Sequence, residues 1–131
     1  MNTNSPRHRI LVVDDNQDAA FTLAMLLKIK GNEVYTRNDG HAAISAAESL
    51  RPEVIVLDIA MPELNGYETC RLIREQSWGK DITLVALSGY GQEDDKRLSR
   101  EAGFDDHLVK PVDLDSLTRL LASLPPTDRM Q

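Results

Sequence analysis

Five times along this chain a short apolar run gives way to a stretch with helical spacing, and this alternation restricts the fold more than any other feature. The runs are Arg9-Ile10-Leu11-Val12-Val13, Glu33 to Arg37, Val54 to Leu57, Ile82 to Leu87, and Asp106 to Val109. Those rich in Val, Ile and Leu without polar alternation read as strands buried on both faces. Asn16 is placed to cap the first helix, whose expected inner stripe is Ala19, Ala20, Leu23, Leu26 and Leu27, with Gly31-Asn32 as its stop. Asp39-Gly40 reads as a turn. Ala42, Ala43, Ala46, Ala47 and Leu50 mark a second helix that ends before Pro52. A third is expected from about Gly66 to Gln76, and a polar fourth from Glu93 to Ala102, closed by Gly103. The stripe Leu114, Leu117, Leu120, Leu121 and Leu124 predicts the fifth, ended by Pro125-Pro126. Strict strand–helix alternation implies a parallel sheet with helices on both faces. A closed eight-fold barrel needs far more residues than 131. An open, doubly wound α/β sheet remains.

The bulk numbers exclude several function classes. A formal net charge of -6, with no basic run, disfavours direct nucleic-acid binding. No apolar run is long enough to span a bilayer, so no membrane association is expected. One cysteine, Cys70, permits no internal disulfide, which fits a reducing compartment. Residues 1–9 lack the apolar segment of a signal peptide, so a cytoplasmic location is expected. One domain over 9–124 is predicted, with loose ends at 1–8 and 125–131.

In an open parallel sheet, ligands bind outside the carboxyl ends of the strands. Strand one delivers Asp14 and Asp15 there, strand three Asp58, strand four Ser88 and strand five Lys110. Three carboxylates close together resist joint ionisation, and a hard divalent cation such as Mg²⁺ relieves the conflict through oxygen ligands. Lys110 adds a compact positive charge, and Ser88 a single hydroxyl donor. A carboxylate is also a competent nucleophile toward phosphorus. The convergence suits formation of an acyl phosphate.

These residues resemble those of the response-regulator receiver family. The matching elements are Asp14-Asp15 after Ile-Leu-Val-Val, Asp58 after Val-Ile-Val-Leu, Met61-Pro62 and Gly66, Ser88 after Leu-Val-Ala-Leu, and Lys110-Pro111. The resemblance covers about residues 9 to 124. It implies a flavodoxin-like (βα)5 fold with strand order 2-1-3-4-5. Asp58 would be the phosphoacceptor. Asp15, Asp58 and the backbone carbonyl of Ala60 would hold Mg²⁺ (or Mn²⁺), with Asp14 assisting. Ser88 and Lys110 would contact the phosphoryl oxygens, and Lys110-Pro111 would be cis. The implied partner is a sensor histidine kinase, or a histidine phosphotransfer protein, of bacterial two-component type. With no effector domain after Leu124, the expected output is contact with an effector protein or a further transfer, unless the chain is part of a larger hybrid kinase.

Two positions depart from the family's commonest pattern. His107 stands where an aromatic switch residue is usual, and an imidazole there would bring pH sensitivity. Ala60 and Tyr90 occupy the positions that tune phosphoryl lifetime, and together they predict slow self-dephosphorylation. Ala60 also argues against a magnesium-dependent phosphatase, which needs a general acid at that place. The chain is therefore expected to be no enzyme beyond its own phosphorylation and dephosphorylation. A receiver-fold binding module that works without phosphate is the alternative. His8 and His41 read as surface residues, and Cys70 as an inert helix residue.

Overall fold

The computed structural model describes residues 8–89 and 93–124. Five strands alternate with five helices: β1 (Arg9–Val13), α1 (Gln17–Ile29), β2 (Glu33–Arg37), α2 (Gly40–Leu50), β3 (Val54–Asp58), α3 (Gly66–Glu75), β4 (Thr83–Ser88), α4 (Glu93–Ala102), β5 (Asp106–Val109) and α5 (Leu114–Ala122). The strands form one parallel sheet in the order β2-β1-β3-β4-β5, as the resemblance implied. A single 3₁₀ turn at Ser77–Gly79 between α3 and β4 has no counterpart in the expected pattern.

Local sequence explains the helix starts. The Asn16 side chain accepts the Ala19 N–H at 3.1 Å, and Asp39 accepts that of Ala42 at 2.7 Å. Asp39-Gly40, expected as a simple turn, is thus a cap and the first residue of α2. Asn65 and Glu68 form a reciprocal capping box at α3.

The sheet divides the apolar interior in two, because successive strand residues point to opposite faces. Leu11, Val13, Ile55, Leu57, Leu84 and Ala86 face α2, α3 and the end of α4, where Ala43, Ala47, Cys70, Ile73 and Ala102 meet them. Ile10, Val12, Val54, Val56, Val85 and Leu87 face α1 and α5, meeting Ala20, Leu23, Ala24, Leu27, Leu117 and Leu121. The α1 stripe is therefore rotated from the expected one. Ala19 and Leu26 lie exposed and Ala24 is buried. Apolar residues surround α1 on nearly every side, so spacing alone could not choose which face turns inward. His8 is a second correction. It is buried, not superficial, with Asn32, Thr118 and Glu53 around its side chain, and its carbonyl accepts the Glu33 N–H at 2.9 Å, which extends the sheet pairing by one residue. His41 is exposed as expected. Among the described residues no helix is long and apolar enough to cross a membrane.

Candidate functional site

Parallel register brings the strand ends to one rim. Val13 lies beside Leu57, Leu57 beside Ala86, and Ser88 beside Val109. The residues at or just past those ends, Asp14, Asp15, Asp58, Ser88 and Lys110, therefore share a single edge. Carboxylate oxygens of Asp14, Asp15 and Asp58 lie within 4.8 Å of one another. Asp14 and Asp58 are buried and Asp15 is exposed. Lys110 Nζ reaches across to both buried acids, at 3.0 Å from Asp14 Oδ2 and 3.1 Å from Asp58 Oδ2. The Lys110-Pro111 peptide bond is cis, as the resemblance implied.

Backbone donors hold the acids. The Asn16 N–H donates to Asp14 Oδ1 at 3.0 Å, and the Ala60 N–H to Asp58 Oδ1 at 3.1 Å. The loop after β3 turns back tightly over Asp58. A Cβ on Gly66 would lie 2.6 Å from the Asp58 carbonyl oxygen and 2.4 Å from Ile59 Cα, so only glycine fits.

Burial pushes the Asp58 carboxyl above its ordinary range. The Ala60 N–H opposes this, the charge of Asp14 adds to it, and Lys110 opposes it again. Burial also works against the Lys110 charge, but its hydrogen bonds to Asp14 and Asp58 outweigh that and hold the ammonium firmly protonated. Three carboxylates against one ammonium leave the rim with an excess of negative charge and an all-oxygen donor set. That suits a hard divalent cation of the Mg²⁺ kind.

Ser88 is buried, and its hydroxyl lies 2.7 Å from His107 Nε2. The other ring nitrogen, Nδ1, lies 3.3 Å from the hydroxyl of Ser99, a buried residue of α4. Burial lowers the His107 pKa below the ordinary 6.5, with Asp95 and Asp106 opposing and Lys96 assisting. The rim is thus joined to α4 through a neutral imidazole. Nothing in the sequence distinguishes Ser99 from other hydroxyls of a polar helix, and its part was not foreseen. Tyr90 lies outside the described residues. Cys70 is buried, with its thiol pushed up to about 12 chiefly by burial, which agrees with an inert residue.

An open sheet of this strand order, with three acids facing a lysine at its carboxyl rim, defines a receiver domain of two-component signalling. The profile of the response regulator receiver domain matches residues 10–122, and the chain belongs to that family. It is 38% identical over 112 residues to an uncharacterized 14.6 kDa protein of Leptolyngbya boryana, covering 86% of each chain. It is 39% identical over 124 residues to the transcriptional regulatory protein PrrA of Mycobacterium tuberculosis, covering 95% of this chain but 52% of that one. The chain thus spans about half the length of PrrA. Among solved structures, it resembles the receiver domain of sensor histidine kinase PA1611 from Pseudomonas aeruginosa, with magnesium coordinated in that domain's active-site cleft. The TM-score is 0.80 and the identity 32%, covering 88% of this chain and 94% of the other.

Proposed function

We infer that this domain receives a phosphoryl group on Asp58 from a phosphohistidine and thereby switches a protein contact. The observation that carries the reading is the acid trio of Asp14, Asp15 and Asp58 with Lys110 bound to two of its members. An Asp58 carboxylate oxygen attacks phosphorus, the P–N bond to the donor imidazole breaks, and the imidazole leaves with the bonding electron pair. Lys110 and Ser88 are placed to meet charge on the phosphoryl oxygens. Asp14, Asp15, Asp58 and the Ala60 carbonyl would hold Mg²⁺ or Mn²⁺, which supplies charge neutralisation at the transferring group.

Docking of the donor is supported by α1. Beside the acids runs a groove of about 690 Å³ between α1 and the segment after β5, lined by Asn16, Ala19, Leu26, Lys110, Pro111 and Val112. Phe21 (64% exposed) and Ile29 (75%) extend an apolar surface along the same helix, of the kind that marks a protein contact. Output is supported by the chain Ser88–His107–Ser99. A phosphoryl oxygen competing for the Ser88 hydroxyl would alter the His107 bond and so bias the position of α4. The domain is a switch and not a turnover enzyme, since Ala60 offers no general acid two residues after Asp58. Phosphoryl loss is slow because the Ala60 side chain cannot orient an attacking water, and Tyr90 stands at the other position that tunes it.

The test is incubation with acetyl phosphate and Mg²⁺, read by intact mass and peptide mapping. One phosphoryl group is expected on Asp58, none without the metal, and none in Asp58→Asn. If the chain stays unlabelled, and beryllofluoride with Mg²⁺ also fails to bind, the receiver-fold module that works without phosphate takes the place of this reading.

A further inference from the structure

The pole of the sheet opposite the acid rim carries a feature that the phosphoryl chemistry does not use. Among the described residues, three buried side-chain atoms have no hydrogen-bond partner within the protein: His8 Nδ1, Asn32 Oδ1 and Thr118 Oγ1. All three residues line one cavity of about 60 Å³, whose remaining walls are Lys30, Leu121 and Ala122. They arrive from separate parts of the chain. His8 precedes β1, Asn32 precedes β2, and Thr118 belongs to α5. His8 and Asn32 are 9% and 8% exposed, so neither reaches bulk water freely.

Each group is held there by a bond made elsewhere. Asn32 Nδ2 donates to the Leu27 carbonyl at 3.0 Å, which fixes the amide and leaves Oδ1 as the unmatched acceptor. His8 Nδ1 stands 3.3 Å from Glu53 Oε1 but is too poorly aligned for a hydrogen bond, and that oxygen already accepts the Arg9 N–H at 2.9 Å. The Thr118 hydroxyl can rotate to give or to accept.

Polar atoms left unmatched in the interior are rare and costly, and three around one cavity are not expected by chance. Cavities that stay dry are lined by apolar groups, whereas a buried water takes two to four polar partners and a share of roughly 30 Å³. This cavity exceeds that share, and the three unmatched polar atoms belong to residues that line it. We propose that it is a hydration site in which one or two water molecules bridge His8, Asn32 and Thr118. The bridge fastens the middle of α5 to the start of β1 and to the turn between α1 and β2. A water there donates to Asn32 Oδ1 and completes its bonds with Thr118 Oγ1 and His8 Nδ1. Because α5 begins four residues after Lys110, the helix is then tied at the acid rim through the chain and at the far pole through water.

The test is a crystal structure at atomic resolution together with thermal unfolding of Thr118→Val and Thr118→Ser. Solvent density is expected within roughly 2.7–3.2 Å of Asn32 Oδ1 and Thr118 Oγ1. Thr118→Val keeps the shape and removes one partner of the water, and it is expected to lower Tm by about 2–4 °C. Thr118→Ser keeps the hydroxyl and is expected to lose less. A dry cavity overturns the proposal, as does direct pairing of the three atoms with protein groups. A Tm for Thr118→Val equal to or above wild type also overturns it, because removing a hydroxyl from a dry site relieves a penalty. These readouts need no phosphorylation, so they stand or fall apart from the reading of Asp58.

Discussion

Replacing Asp58 by Asn is expected to make the unliganded domain more stable while abolishing phosphoryl uptake. The magnitude follows from the distances at the rim. With an effective dielectric of about 20, two like charges no more than 4.8 Å apart repel by at least about 3 kcal/mol, and Asp58 faces one such charge on buried Asp14 and a better-screened one on exposed Asp15. Attraction to Lys110 at 3.1 Å returns about 5 kcal/mol on the same scale. The Coulomb balance is close to even, and the burial of the carboxylate decides the sign against ionisation. The pH argument agrees. A carboxyl whose folded pKa is raised above 3.8 binds its proton more tightly folded than unfolded. Stability is therefore lost as pH rises through 3.8 to the folded value, and stays lost above it. Asn carries no such loss. A gain of about 1–2 kcal/mol at pH 7, or about 3–6 °C in Tm, is expected in EDTA. Added Mg²⁺ should raise the wild-type Tm, by about 2.7 kcal/mol equivalent at a hundred times Kd, and move the variant much less. Scanning fluorimetry of both proteins with EDTA and with Mg²⁺ reads all four values. An Asn variant less stable than wild type in EDTA would refute the reasoning, since it would mean that the Lys110 pairing outweighs repulsion and burial together.

Three further outcomes follow from other contacts. His107 is held below 6.5 by burial, so the unfolded chain protonates first on acidification and stability should fall as pH drops through 6.5; His107→Phe should flatten that fall in urea titrations between pH 5 and 7.5. Arg74 donates to the carbonyls of Gly79, Ile82 and Gly103 and pairs with Asp105 at 2.8 Å. Arg74→Met should thus cost about 2–4 kcal/mol by urea denaturation, and a cost under about 1 kcal/mol would deny it that tying role. Gly66→Ala forces a Cβ to within 2.6 Å of the Asp58 carbonyl oxygen; it should destabilise by about 1–3 kcal/mol and slow labelling by acetyl phosphate about tenfold or more.

The sequence made the rim legible because each buried strand is an uninterrupted apolar run, and such a run ends at the first charged or hydroxyl residue. The bounds of α4 and β5 were readable for a related reason, since Gly103 and the Lys110-Pro111 pair punctuate them. The facing of α1 was not readable. Phe21, Met25, Leu26 and Ile29 are as apolar as the residues that it buries, so only packing against Val12 and Leu117 selects the inner stripe. Ser99 was missed because its partner, His107, lies eight residues away on another element. His8 was misplaced because the residues that enclose it, Asn32, Glu53 and Thr118, lie far along the chain.

The sheet that separates the two apolar interiors also separates two kinds of traffic. The α1 and α5 side faces the groove beside Lys110, where a donor would sit, while the α2, α3 and α4 side contains the helix to which His107 is bonded. The buried strands β1, β3 and β4 stand between the two. On the proposed function, a substitution confined to one face would alter donor docking or the α4 contact while leaving the side chains of the other face in place. The acid rim touches both sides, since Lys110 lines the groove and Ser88 is bonded to His107.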